Sequence, residues 1–344
     1  MTVNRTHSFC HEYVNATKKS DDVAGKDGKT PICALSAVDL VNYIFYFPLF
    51  FYGPVLTYDQ FVANLRRFDF VESSPTTTTP SYGYLFKQLM RYVFWALALE
   101  LTLYHFFFNA ALGHLPLLWQ VDLWELAGIG FLAGQFFYTK YLVIYGIHNV
   151  LSTADGMTPP TPPKCSVRLY LTSDMLQNFD KGFYNFVKRY VYFPLGGSRR
   201  GVVTQFFAIF CCFAYIFVWH GCQWYVFYWS ALNFVGIVAE AVGTSLQATD
   251  AGLRLQSFVG PRMWRRLRVL AALPFFASLA IGMFMFFGMH HEVGRVYYER
   301  YVSEDFPSFH FFFALFVMYA QAQSAVTIYK YEETGSVAGY VLRK

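Results

Sequence analysis

Apolar stretches of roughly 18 to 25 residues recur along this chain, and that recurrence restricts the fold to one class. About 20 apolar residues rising 1.5 Å each cross a hydrocarbon layer of about 30 Å. Inside that layer only a helix satisfies its own backbone groups within a single segment. Seven such stretches are read, near 38–58, 89–112, 125–150, 202–219, 224–243, 269–290 and 309–330. Only 14% of the 344 residues are charged, against about a quarter in a soluble domain. The expected fold is therefore an all-α polytopic membrane protein, residues 38–344 forming the membrane domain.

Charge sorts by loop. Arg66, Arg67, Lys87 and Arg91 follow the first stretch, Lys181, Lys188, Arg189, Arg199 and Arg200 follow the third, and Arg254, Arg262, Arg265, Arg266 and Arg268 follow the fifth. The connections at 113–124 and 220–223 carry no Lys or Arg. Basic residues stay on the cytoplasmic side, so the net charge of +5 follows from topology and requires no nucleic-acid partner. Residues 1–37 then fall on the lumenal side as a polar segment, in keeping with the sequons Asn4-Arg5-Thr6 and Asn15-Ala16-Thr17. Cys10 and Cys33 could pair in an oxidising lumen. Cys211, Cys212 and Cys222 sit in apolar surroundings and read as packing residues.

Punctuation marks the breaks. Residues 71–81, VESSPTTTTPS, read as a linker. Pro48 and Gly53-Pro54 break or kink the first stretch, and the Pro-rich run 158–164 ends the third. Met175, Phe179, Phe183, Phe186 and Tyr190 recur at helical spacing with basic residues between them, so 165–194 is expected as an interfacial or re-entrant amphipathic helix.

Two ionisable residues stand out. His220 lies in the apolar run 213–229, and Asp180 precedes it by forty positions (220 − 180 = 40). Burial among aromatics favours a neutral imidazole, which can accept a proton as general base. A histidine hydrogen-bonded for packing and a carboxylate exposed beside Lys181 are the bland alternatives. Simple topology sets the pair about 27 Å apart, eighteen residues at 1.5 Å each, so their cooperation requires 165–194 to dip into the membrane. Adjacent histidines 290 and 291 point about 100° apart on a helix, which suits no shared metal. The sequence holds no HExxH, no GxSxG and no phosphate loop.

The stretches FDKGFYNFVKRYVYFPLGGSRRG and VWHGCQWYVFYWSALNFVGIVAE, with LVIYGIHNVLSTADGMTPPTPPKC upstream, resemble the membrane-bound O-acyltransferase (MBOAT) superfamily. Within it they are most similar to the branch that attaches palmitate to the amino-terminal cysteine of Hedgehog proteins. The resemblance implies a multi-helix bundle around a catalytic tunnel in the endoplasmic-reticulum membrane, a long-chain acyl-CoA (palmitoyl-CoA) as co-substrate and a Hedgehog-like secreted protein as acceptor. It implies His220 as the essential histidine, Asp180 as its acidic partner, no catalytic metal, and Cys165 as the counterpart of a haem-binding cysteine. Further spans ahead of residue 1 are also implied. The chain departs from the family at Leu176-Gln177, where Trp-Arg is expected, at Cys222, where a second Gly follows His-Gly, and at His291, where Asn is expected. O-acylation of a lipid or small alcohol, and a non-catalytic membrane scaffold, are the rival functions.

Overall fold

A computed structural model of the chain describes residues 2–27, 36–71, 80–303 and 308–333. These fold as helices, with no strand among the described residues. In order they are α1 (Thr2–Asp27), α2 (Ala37–Ile44), α3 (Phe47–Phe50), α4 (Tyr58–Val71), α5 (Tyr82–His105), α6 (Phe108–Gly113), α7 (Leu115–Gln120) and α8 (Leu123–Ala154). Then follow α9 (Thr172–Phe179), α10 (Lys181–Val187), α11 (Val202–Trp219), α12 (Trp224–Gln247), α13 (Asp250–Phe287), α14 (His291–Tyr298) and α15 (Phe309–Glu333). Cys33 and most of the expected linker lie outside the described residues.

Four of the described helices are long and apolar enough to cross a membrane: α11, α12, α13 and Phe309–Tyr329 of α15. Helix α8 covers the stretch expected at 125–150, whereas the stretch at 89–112 is broken after His105, its remainder falling to α6; neither α5 nor α8 is among those four. The stretch at 38–58 is not one helix. Ile44 ends α2, α3 is four residues long, and the chain runs without helix from Phe51 to Thr57. Pro48 fits only the start of α3, and Gly53-Pro54 prevents its extension. The expected single helix at 165–194 is likewise broken, into a 3₁₀ turn at Ser166–Arg168, α9, α10 and a π turn at Lys188–Tyr192.

The chain divides into two compact units. The first comprises Met1–Thr102, Thr139–Pro163 and Phe179–Ala208, and the second Leu103–Tyr138, Lys164–Asn178 and Ile209–Lys344.

In the first unit, Phe9, Tyr43, Leu49, Leu56, Tyr58, Phe61 and Met157 form a buried cluster. The amino-terminal half of α1 is part of this core and not a polar segment standing apart. Arg5, Ser8, Phe9 and Glu12 recur at helical spacing, and Arg5 is only 2% exposed. Its guanidinium donates to the carbonyls of Tyr43 (3.1 Å), Ile44 (2.8 Å) and Leu49 (2.7 Å), which the breaks after α2 and α3 leave without helical partners. Asn4 is fully buried, so the first sequon offers no exposed acceptor. Further along α1, Glu12 and Asp59 bind Arg189 at 2.9 and 2.7 Å, and Ser8 donates to the Tyr190 hydroxyl at 2.8 Å. The π turn aims Arg189 and Tyr190 into this network.

The second unit repeats the device. Its core gathers Leu112, Leu118, Leu126, Ala133, Val293, Val296 and Tyr297. Arg300 donates to the carbonyls of Leu118 and Val121 beyond the short α7, and Tyr297 to that of Leu126 (2.8 Å). Glu240 of α12 accepts from the backbone N–H groups of Thr172 (2.6 Å) and Ser173 (3.2 Å), capping α9. Gly236, one turn earlier, permits this approach, because a Cβ there would strike the Thr172 hydroxyl.

Three helices close with one backbone motif, in which the second residue past the cap bonds back five positions and the first bonds back three. Helix α8 does so at Gly156 (φ 76°) and α11 at Gly221 (φ 94°), whereas α13 uses Met289 (φ 53°). Cys222, after Gly221, is also left-handed (φ 56°).

Two outcomes follow for purified protein in detergent. Arg5→Leu leaves three carbonyls without their charged donor, and thermal or denaturant unfolding should register a loss of about 3 kcal/mol or more. Gly221→Ala should destabilise by about 1–2 kcal/mol through its left-handed backbone alone, since open space surrounds the added methyl. Cys222→Gly should move stability the other way.

Candidate active site

His220 is the first residue after α11, where the chain turns. Its N–H bonds to the Ile216 carbonyl (3.0 Å), that of Gly221 to Val218 (3.1 Å) and that of Cys222 to Phe217 (3.2 Å). Glycine at 221 takes the positive φ (94°) without penalty, so the helix closes at Trp219 and His220 stands in the turn.

The imidazole is half-buried and held by rings. Trp219 lies 4.7 Å away, Phe286 at 5.2 Å and Trp229 at 5.8 Å, all near perpendicular to it. This box draws on the end of α11, the start of α12 and the end of α13. Trp229 is fixed by its indole N–H donating to Met283 sulfur at 3.2 Å and by Phe286 at 5.1 Å. Among the described residues, neither ring nitrogen of His220 has a hydrogen-bond partner, so the packing-histidine alternative lacks its bond. Burial pushes the His220 pKa down to about 4. The group is a neutral imidazole whose nitrogens are uncommitted, the form a general base requires.

Asp180 is in the opposite situation. It occupies the cap position of α10, where Oδ1 accepts the Phe183 N–H at 2.9 Å, and Oδ2 accepts the Tyr145 hydroxyl at 2.7 Å. Gly182 makes this turn possible by lying against the backbone of Val55, whose carbonyl oxygen any Cβ would strike. Burial raises the Asp180 carboxyl above the usual range, while the Phe183, Tyr145 and Gly182 donors oppose the shift. The alternative of a carboxylate merely exposed beside Lys181 does not describe this engaged group. Asp180 belongs to the first unit, His220 and Cys165 to the second.

Cys165 begins the 3₁₀ turn at Ser166–Arg168 and is half-buried. Lys164 bonds through its N–H to the Asn178 carbonyl (3.0 Å) and sets its ammonium over the Tyr329 ring (5.6 Å). Among the described residues no group of three His, Cys, Asp or Glu gathers around a common point. One half-buried thiol beside a lysine already placed on a ring does not amount to a haem site. The haem expectation goes no further.

His290 and His291 are engaged locally. His290 caps α14, its Nδ1 accepting the Glu292 N–H at 3.2 Å, while His291 pairs with Glu292 (3.2 Å) and stacks on Tyr228. Sequence reading missed Tyr145, Trp229, Met283 and Phe286, which carry no chemical motif. Nor did it mark Glu240, which caps α9. Ser230 Oγ and Asn233 Oδ1, one turn apart on α12, are buried without a partner among the described residues.

Comparison with known proteins identifies the family. Residues 25–290 match the membrane-bound O-acyltransferase family, MBOAT. The chain is 31% identical over 269 residues to the protein-cysteine N-palmitoyltransferase HHAT of Mus musculus, covering 78% of this chain and 53% of that protein. It is 32% identical to the protein-cysteine N-palmitoyltransferase Rasp of Drosophila melanogaster, covering 74% and 49%. The membrane-bound O-acyltransferase GUP1 of Saccharomyces cerevisiae is 25% identical, over 64% of this chain and 38% of its own length. The chain thus spans about half the length of the curated relatives it matches. With an all-α fold, spanning helices and a family match over most of its length, the chain belongs to the membrane-bound O-acyltransferase family.

Proposed function

We propose that the chain carries the catalytic histidine of a membrane acyltransferase that moves a long-chain acyl group, palmitoyl, from acyl-CoA to the amino-terminal cysteine of a Hedgehog-like secreted protein. The setting is the endoplasmic-reticulum membrane, acyl-CoA arriving from the side of the basic loops. The observation that carries this reading is the state of His220: neutral, free of hydrogen bonds and framed by aromatic rings. Similarity to two protein-cysteine N-palmitoyltransferases supports the acceptor class.

The chemistry balances simply. The acceptor amine attacks the thioester carbonyl, and His220 takes the proton that the nitrogen loses. The tetrahedral intermediate collapses with cleavage of the C–S bond, and the proton passes from the imidazolium to the departing thiolate. An N-acyl acceptor and free CoA result. Burial keeps the imidazole unprotonated near neutrality, so it stands ready to accept that proton. Asp180, with both carboxylate oxygens engaged, has the fixed geometry suited to orienting groups and balancing charge in the reaction. A second reading, O-acylation of a lipid or small alcohol, draws on the similarity to GUP1. The same base would serve a hydroxyl.

Full-length protein in membranes, given labelled palmitoyl-CoA and a peptide with a free amino-terminal cysteine, tests the proposal. His220→Ala should lower turnover by about 10²–10⁴-fold, and turnover at the wild-type rate would refute the role. Labelled lipid or alcohol with an unmodified peptide would favour the second reading.

The pH dependence is a further test. The folded-state pKa of His220, about 4, lies below the ordinary 6.5. Stability from the neutral form is therefore fully present above pH 6.5, and it is lost as pH falls through that value towards 4. Activity should show no histidine limb between pH 6 and 8, its acid limb lying nearer 4–5. A limb at 6.5 traced to His220 would overturn this description of its surroundings.

A further inference from the structure

Capping α10 needs only one oxygen of Asp180. The Phe183 N–H, 2.9 Å from Oδ1, fulfils it, yet the second oxygen is also held, by the Tyr145 hydroxyl at 2.7 Å. Tyr145 stands on α8, thirty-five residues earlier, and is 5% exposed. It is itself braced. Tyr141, one turn before it, meets the Tyr145 ring at 5.4 Å and the Phe179 ring at 5.3 Å. The phenol therefore arrives at Asp180 along a fixed direction, with Phe179 next to the carboxylate in sequence.

We propose that Tyr145 is a positioning residue for the acyl-transfer reaction, its hydroxyl locking the second oxygen of Asp180 so that the carboxylate keeps one orientation. The inference rests on the reading that Asp180 serves the reaction.

A carboxylate bound through one oxygen alone can swing about its terminal torsion, which is broad. Held through both, it cannot. Local helix structure does not require the Tyr145 bond, so the cap would form without it. Tyr145 itself gains a partner that a buried phenol needs, but a carbonyl would have served as well. The charge environment gives the bond further weight. The titratable groups that interact with Asp180 are Tyr145 and Tyr141 of α8; Lys181, next to it in sequence, is exposed. Among the described residues no Lys or Arg forms an ion pair with Asp180. Among the described residues Tyr145 is the one side chain that donates to Asp180, and a charge-assisted O–H···O⁻ bond of this kind is among the strong ones.

Tyr145→Phe in the full-length protein removes the hydroxyl and keeps the ring. The expected result is a fall in kcat of about tenfold or more, with the KM for acyl-CoA unchanged. The acid limb of the rate profile should move to higher pH, because the lost donor had favoured the ionised carboxyl. Tyr145→Gln supplies an N–H donor and should restore part of kcat and return the limb towards wild type. That variant also serves if the Phe variant does not fold. Wild-type kcat and an unmoved limb in Tyr145→Phe would overturn the inference, as would a loss of stability with turnover per folded molecule unchanged. A folded Tyr145→Gln with low kcat and an unmoved limb would do the same. Asp180→Ala separates the two failures. If it turns over normally, the reading of Asp180 fails; if it is inactive while Tyr145→Phe behaves as wild type, only the present inference fails.

Discussion

Where a helix of this chain stops in buried surroundings it leaves backbone groups that water cannot reach, and each one left unpaired costs roughly 1–3 kcal/mol. Much of the polar architecture answers that constraint. Arg5 takes the carbonyls freed by the breaks after α2 and α3, and Arg300 takes those beyond α7. Glu240 takes the first N–H groups of α9, and Asp180 an N–H at the start of α10. Arginine suits the carbonyl ends because its fork reaches several oxygens and stays charged at any working pH. Carboxylates suit the opposite ends, where the helix dipole is positive.

The same constraint separates the two residues of chemical interest. Asp180 is a cap, so backbone geometry fixes it, and it has little freedom to leave its donors. His220 lies beyond the last turn of α11, where glycine at 221 closes the backbone without help from any side chain. Its ring is consequently released from structural duty, and three aromatic edges hold it through shape. A fixed carboxylate and an uncommitted imidazole suit different tasks. The first orients and balances charge, and the second exchanges a proton.

How far the sequence revealed this depends on the distance over which each feature is decided. Spanning helices are decided locally by apolar length, so α11, α12, the apolar part of α13 and α15 were legible. His220 was legible because an ionisable residue in such a run is costly. The stretch 38–58 carried its own warning in Pro48 and Gly53-Pro54, yet apolar length outweighed it. What lets the chain stay broken there is Arg5, thirty-eight residues earlier than Tyr43, and no local window contains both. Helix α1 misled by composition, since a polar segment reads as a tail until the stripe of Arg5, Ser8, Phe9 and Glu12 is set on a helix. Tyr145 was invisible for the same reason as Arg5: its partner is thirty-five residues away, and a tyrosine in an aromatic-rich helix signals nothing by itself.

The departures from the family pattern acquire a physical meaning at the turn after His220. A second glycine expected at 222 would meet a backbone that is already left-handed, and Cys222 adopts that conformation (φ 56°) with a side chain attached. Left-handed geometry in a non-glycine residue costs about 1 kcal/mol, and here it adjoins the residue on which the chemistry turns. Met289 places a comparable strain at the end of α13, two residues past Phe287 and three past Phe286, a wall of the His220 box. Both strained residues are exposed, so neither is repaid by burying its own side chain. The walls and the imidazole are therefore set by turns that the surrounding packing, and not local backbone preference, keeps closed.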